Sequence, residues 1–115
     1  IASGAFAVIQ PDLAKWGGFS AGLPLAVEIA AAGLRYCPHY LGGGIGLVAS
    51  AHLLAATGGD GVLEIDSNVN PLRQGLAHPF PKLVDGQFCL SEAVGLGVEP
   101  DASMDRFLVA SFRHN

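Results

Sequence analysis

The sequence predicts an α/β fold built from parallel, right-handed βαβ units, and three observations carry that prediction. Short, largely apolar runs stand at Phe6–Ile9, Leu34–Cys37 and Gly61–Ile65, the pattern of strands buried in a parallel sheet. Stretches with helical spacing of apolar residues separate them. The connections are only a few residues long, which favours strand, helix, strand in right-handed succession.

Each element has its own signal. Phe6-Ala7-Val8-Ile9 is apolar throughout, and Pro11 stops it. Ser20 is placed as the N-cap of the first helix, with Leu23, Val27, Ile29, Ala30 and Leu34 at roughly helical spacing around Gly33. Pro24 then falls in the first turn, where a missing N–H costs little. Pro38 halts the second strand. A second helix runs from about Gly44 to Ala56, ended by Gly58-Gly59. The third strand is Gly61–Ile65. Beyond Asp66 the chain turns polar and Pro-rich, so Ser67–Pro81 reads as loop. Leu83–Leu90 contains an Asp85-Gly86 hairpin turn, and Asp101 caps a last helix over about Ala102–Phe112. The division is therefore 1–80 for the strand and helix units and 81–115 for the hairpin and helix segment.

Half of the 115 residues are hydrophobic and 14% are charged, enough apolar material for a core and too little charge for a disordered chain. A net charge of −4 with no Lys/Arg cluster argues against a nucleic-acid partner. The longest apolar run, Ala21–Leu34, is interrupted by Pro24, Glu28 and Gly33 and is too short to cross a bilayer; a cytoplasmic protein is expected. Cys37 and Cys89 show no metal or disulfide spacing and read as free thiols in a reducing compartment. The chain opens on Ile1 without Met and enters a strand almost at once, the look of an internal cut.

Function in parallel α/β folds gathers at the C-terminal ends of the strands. Each of the three strands carries one titratable residue there: Asp12, His39 and Glu64, spaced by 27 and 25 residues. An Asp beside a His fixes the imidazole tautomer and leaves Nε2 as a base. A Glu kept protonated in a buried site can donate a hydrogen bond to an oxyanion. The same three residues also fit a structural role, with Asp12 capping a turn, His39 packed in the interior and Glu64 paired with Arg73.

Several segments together carry a family resemblance. Gln10-Pro11-Asp12-Leu13-Ala14-Lys15-Trp16-Gly17-Gly18, Pro38-His39, Ala51-His52-Leu53-Leu54-Ala55-Ala56, Leu63-Glu64, Lys82–Leu90 and Gly95-Leu96-Gly97 resemble, in order, the end of the barrel in the mandelate racemase branch of the enolase superfamily. Asp12 stands where muconate cycloisomerase and dipeptide epimerase relatives place a Lys, which points to the mandelate racemase branch. The resemblance implies the C-terminal portion, about three βα units, of a TIM-type (β/α) barrel, with a hairpin and helix returning to a capping domain.

It also implies an enzyme that removes the proton α to a carboxylate through an enediolate stabilised by Mg²⁺. The outcome it implies is dehydration of a sugar acid or related hydroxy acid, a lyase reaction, with racemisation or epimerisation as the alternative. His39 would be the base, Asp12 would orient it, and Glu64 would bind a substrate carboxylate oxygen. Asn68 and Asn70 are candidate substrate-binding residues, and a homo-oligomer is implied for the full-length protein. The family's acidic metal ligands and its second-strand Lys lie upstream of Ile1, and a barrel needs about 250 residues. The fragment alone is therefore expected to be inactive.

A competing signal is Gly44-Ile45-Gly46-Leu47-Val48-Ala49, a G-x-G-x-x-A run with Glu64 twenty residues after Gly44, the spacing of a dinucleotide-binding fingerprint. Pro38 to Leu41 separate it from its strand, whereas the fingerprint should follow its strand directly; a dinucleotide-binding module built on Gly44-Gly46 is the alternative of a different class. Lys15 reads as a structural residue beside Gly17-Gly18, and His52 as a packed or capping histidine. His78 lies in a loop with no partner in reach by sequence, and His114 is terminal.

Overall fold

The computed structural model of the chain describes residues 1–112, so His114 lies outside the described residues. The first two βα units form as the sequence pattern dictates. Strand β1 (Val8–Ile9) pairs in parallel with β2 (Arg35–Tyr36), with Val8 opposite Arg35 and Ile9 opposite Tyr36. The ladder runs further than these short strands. Arg35 N–H donates to the Ala7 carbonyl (2.9 Å), Cys37 N–H to Ile9 (3.1 Å) and His39 N–H to Pro11 (3.2 Å).

Helix α1 (Gly18–Ala31) joins the two strands, and α2 (Gly44–Thr57) follows β2. Helix α1 packs against β2, and the two helices pack on each other, around a cluster of Leu13, Ala26, Ile29, Tyr36, Ala49 and Leu53. Gly22 lets α1 approach closely: a Cβ there would stand 2.8 Å from Leu13 Cδ1 and 3.1 Å from Leu53 Cδ2.

Four expectations need correcting. Helix α1 is capped by Gly17, at φ 79°, with no side-chain cap, so Ser20 is not its N-cap and Pro24 lies inside the helix. The Ser20 carbonyl thereby loses its helical partner, which its exposed position tolerates. Residues 61–66 do not form a regular strand; a strand needs bonded neighbours, and among the described residues its backbone finds only the Cys37 thiol, 3.4 Å from Val62 N. The loop after Asp66 contains a helix, α3 (Pro71–Gly75), capped by the Asn70 side chain accepting from Leu72 N–H, with Pro71 in the first turn. The last helix is a 3-10 turn over Ala102–Phe107, capped by Asp101 but stopping well before Phe112. Only Met104 of its apolar residues is buried, so little packing extends it.

The hairpin forms with β3 (Leu83–Val84) against β4 (Gln87–Phe88). Asp85 and Gly86 both take positive φ, 49° and 77°, as the tight primed turn requires. His78 has a partner that sequence spacing hides. Its N–H donates to the Glu99 carbonyl (2.8 Å) and its carbonyl accepts from Glu99 N–H (2.9 Å).

Candidate active site

The extended ladder sets the first two site residues side by side. Because His39 N–H bonds the Pro11 carbonyl, His39 and Asp12 leave adjacent strand ends together. Asp12 Oδ1 accepts from Ala14 N–H (2.9 Å), fixing the turn after β1. Its Oδ2 lies 3.0 Å from Lys15 Nζ and 4.0 Å from His39 Nδ1. Lys15 is thus the near partner of Asp12, and the imidazole is a second neighbour of the same oxygen.

The third residue arrives from the segment beyond α2. Glu64 Oε2 lies 3.8 Å from His39 Nε2. It is buried with no hydrogen-bond partner, an expensive state for a carboxyl oxygen unless a ligand or a closing side chain meets it. Each imidazole nitrogen therefore faces one carboxylate. Both gaps exceed hydrogen-bond length, so the three groups are gathered without being locked together. Asp12 is largely covered, its side chain 11% exposed, whereas His39 and Glu64 are each 37% exposed. The site opens on the imidazole side.

The structural alternative for Glu64 is not what the structure contains. Arg73 faces Asp66, Nη2 to Oδ2 at 3.7 Å, and donates to the Asn68 carbonyl at 2.8 Å. Asn68 Nδ2 donates to Asp66 Oδ1 (2.8 Å). Asn70 accepts from Leu72 N–H (3.0 Å) and donates from Nδ2 to the Gly42 carbonyl (3.4 Å). The two asparagines thus brace the loop after Glu64, and Asn70 also ties it to the loop after His39. The Asn-Pro pair at 70–71 is a readable helix start, the signal by which this brace could have been found.

The glycine run serves packing. A Cβ on Gly44 would strike the Arg73 carbonyl oxygen, and one on Gly46 would enter the Tyr40 ring. The N-terminus of α2 is filled by α3 and Tyr40, the space that a pyrophosphate would need. His52 Nε2 meets the Leu96 carbonyl at 3.2 Å, a packed histidine as its helix setting suggests. Cys37 is buried and Cys89 exposed, both free.

Among the described residues no group of three or more His, Cys, Asp or Glu side chains converges on a metal position. Asp12 is occupied by Lys15 and Ala14, and His39 stands between the two acids, so these residues do not make a Mg²⁺ site.

The chain resembles known proteins in sequence and in fold. Residues 1–104 match the model of the enolase C-terminal domain-like family. The chain belongs to that family. It is 32% identical over 107 residues to a D-galactarolactone cycloisomerase of Agrobacterium fabrum, covering 86% of this chain and 28% of that protein. It superposes with TM-score 0.78 and 57% identity on a crystal structure of a mandelate racemase/muconate lactonizing enzyme from Bordetella bronchiseptica RB50, over 88% of this chain and 29% of that one. A second crystal structure, of a suspected racemase, gives TM-score 0.77 at 26% identity over 89% of this chain and 28% of that one. The chain spans under a third of the length of these relatives. It is a portion of an enolase-superfamily (β/α) barrel.

Proposed function

We propose that the full-length protein is an enolase-superfamily enzyme that abstracts the proton α to a carboxylate, with dehydration of a sugar acid as the outcome. One observation carries this reading: His39 offers Nδ1 to Asp12 at 4.0 Å and Nε2 to Glu64 at 3.8 Å, at adjoining chain ends on one side of a partial barrel. His39 Nε2 takes the α-proton, and the resulting imidazolium then delivers a proton to the leaving hydroxyl. Asp12 holds the Nδ1 side and stabilises the charged imidazole. Glu64 hydrogen-bonds a carboxylate oxygen of the substrate as negative charge builds there. Contacts of this kind commonly tighten only around bound substrate. The family implies Mg²⁺, and its ligands would come from acids outside these 115 residues.

The cycloisomerase relative favours a second outcome of the same step. In a five-membered lactone of a sugar diacid, the ring oxygen sits on the carbon β to the free carboxylate. Removing the α-proton would then expel the ring oxygen in place of a hydroxyl.

The test uses the full-length protein with Mg²⁺ and three probes: galactarate, gluconate and galactarolactone. Expected is loss of the α-proton, read as deuterium incorporation from D₂O or as formation of a 2-keto acid, with His39→Asn lowering the rate by at least about a hundredfold. Retained exchange in His39→Asn would reject the assignment of the base.

A further inference from the structure

The segment that carries Glu64 lacks ladder bonds, so something else must hold it. Its start is held by Gly61, whose Cα lies so close to the Tyr36 carbonyl that a Cβ could not fit, and by Val62 N–H on the Cys37 thiol. Its end is held by charge. Asp66 accepts from Asn68 N–H (2.9 Å) and Asn68 Nδ2 (2.8 Å) through Oδ1, while Oδ2 faces Arg73 Nη2 at 3.7 Å. The same Arg73 nitrogen donates to the Asn68 carbonyl (2.8 Å).

We infer that Arg73 is a positioning residue, clasping Asp66 and Asn68 so that Glu64, two residues upstream of Asp66, is presented to His39. The inference rests on the role given above to Glu64. Burial separates this pair from an ordinary surface ion pair, which contributes little. The Arg73 and Asp66 side chains are only 14% and 17% exposed, so removing the guanidinium strands a partly desolvated carboxylate. Location supplies the rest. Arg73 stands on α3, whose backbone is pressed onto Gly44 at the start of α2, and α2 leads directly from the His39 loop. The clasp thus refers the position of Glu64 to the element that also fixes His39. An arginine suits the task because its planar donors can serve a carboxylate and a carbonyl at once.

The experiment compares Arg73→Met, Glu64→Gln and the double variant of the full-length protein with the parent. In Arg73→Met, hydrogen exchange measured by mass spectrometry should rise about tenfold or more at the bonded amides of the segment, Val62 and Asn68, and stay unchanged over α1 and α2. With galactarate, gluconate and galactarolactone as probes, Arg73→Met should lower kcat by about tenfold, since a displacement of an ångström can cost about a hundredfold. It should lower kcat no further in the Glu64→Gln background, because residues acting through one another are not additive. Arg73→Lys should restore part of the loss. Unchanged exchange at Val62 and Asn68, or the full kcat loss persisting in Glu64→Gln, would overturn the inference. A neutral Glu64→Gln would instead withdraw the role of Glu64, leaving the clasp to stand or fall on the exchange result.

Discussion

Replacing Gly44 with Ala probes whether the glycine run exists for packing. A Cβ at Gly44 meets the Arg73 backbone carbonyl, stands 2.5 Å from Ala77 Cβ and lies 3.0 Å from Ala77 N. None of these atoms can rotate away, so α3 must retreat by roughly an ångström to reach ordinary contact. Overpacking of this kind costs about 1–3 kcal/mol, against a gain of up to about 1 kcal/mol from replacing Gly by Ala in a helix. The expected net effect is a loss of about 1–2 kcal/mol, concentrated in α3. Gly43→Ala supplies the control within the same run. Its Cβ meets the end of the Leu76 side chain at 3.2 Å and the Leu72 carbonyl at 3.4 Å, so the nearest atom can yield, and the cost should be about 0.5–1 kcal/mol, from alanine being the poorer N-cap, with α3 left in place. Amide exchange of Leu76, bonded to the Leu72 carbonyl, would report the difference in the full-length protein. Equal protection in the two variants, or greater protection in Gly44→Ala, would refute the packing account of these glycines.

Three further outcomes are expected. Ser50 is fully buried in α2 and its hydroxyl has no partner, so Ser50→Ala should be neutral or stabilising by up to about 1 kcal/mol in urea unfolding. Burial holds the Tyr36 phenol up to about 12, above its unfolded value near 10. The unfolded chain therefore loses this proton first, stability should fall as pH rises from about 10 to 12, and Tyr36→Phe should flatten that part of the stability profile. Asp101 accepts from Ser103 N–H at 2.8 Å, so Asp101→Ala should speed exchange at Ser103, whereas Asp101→Asn, also a good cap, should largely preserve it.

The parts of the fold legible in the sequence were those that depend on local pattern. Helices α1 and α2 and the Asp85-Gly86 turn follow from apolar spacing and turn chemistry alone, and α2 begins at Gly44 as its glycines suggest. Ser20 misled because a good capping side chain lies three residues beyond Gly17, where the backbone itself turns. The third segment misled for a different reason. Gly61–Ile65 has the composition of a buried strand, but it lies beside Tyr36 and Cys37 with Val62 N–H on the Cys37 thiol, where a paired strand would meet a backbone carbonyl. At the site, strand-end spacing placed Asp12, His39 and Glu64 together. It was silent on the Asp66–Arg73 pair and on Lys15 reaching Asp12, because those contacts depend on how a loop folds back.

The bonds from His39 N–H to Pro11 and from Cys37 N–H to Ile9 impose a rule on how such a site can change over time. Side chains alternate across a strand, so inserting or deleting one residue in either run would turn Asp12 or His39 to the opposite face. Within these two strands, new chemistry can be reached by exchanging residue types and hardly at all by altering length. Variation in length is left to the connecting loops, where it leaves the pairing of acid and imidazole untouched.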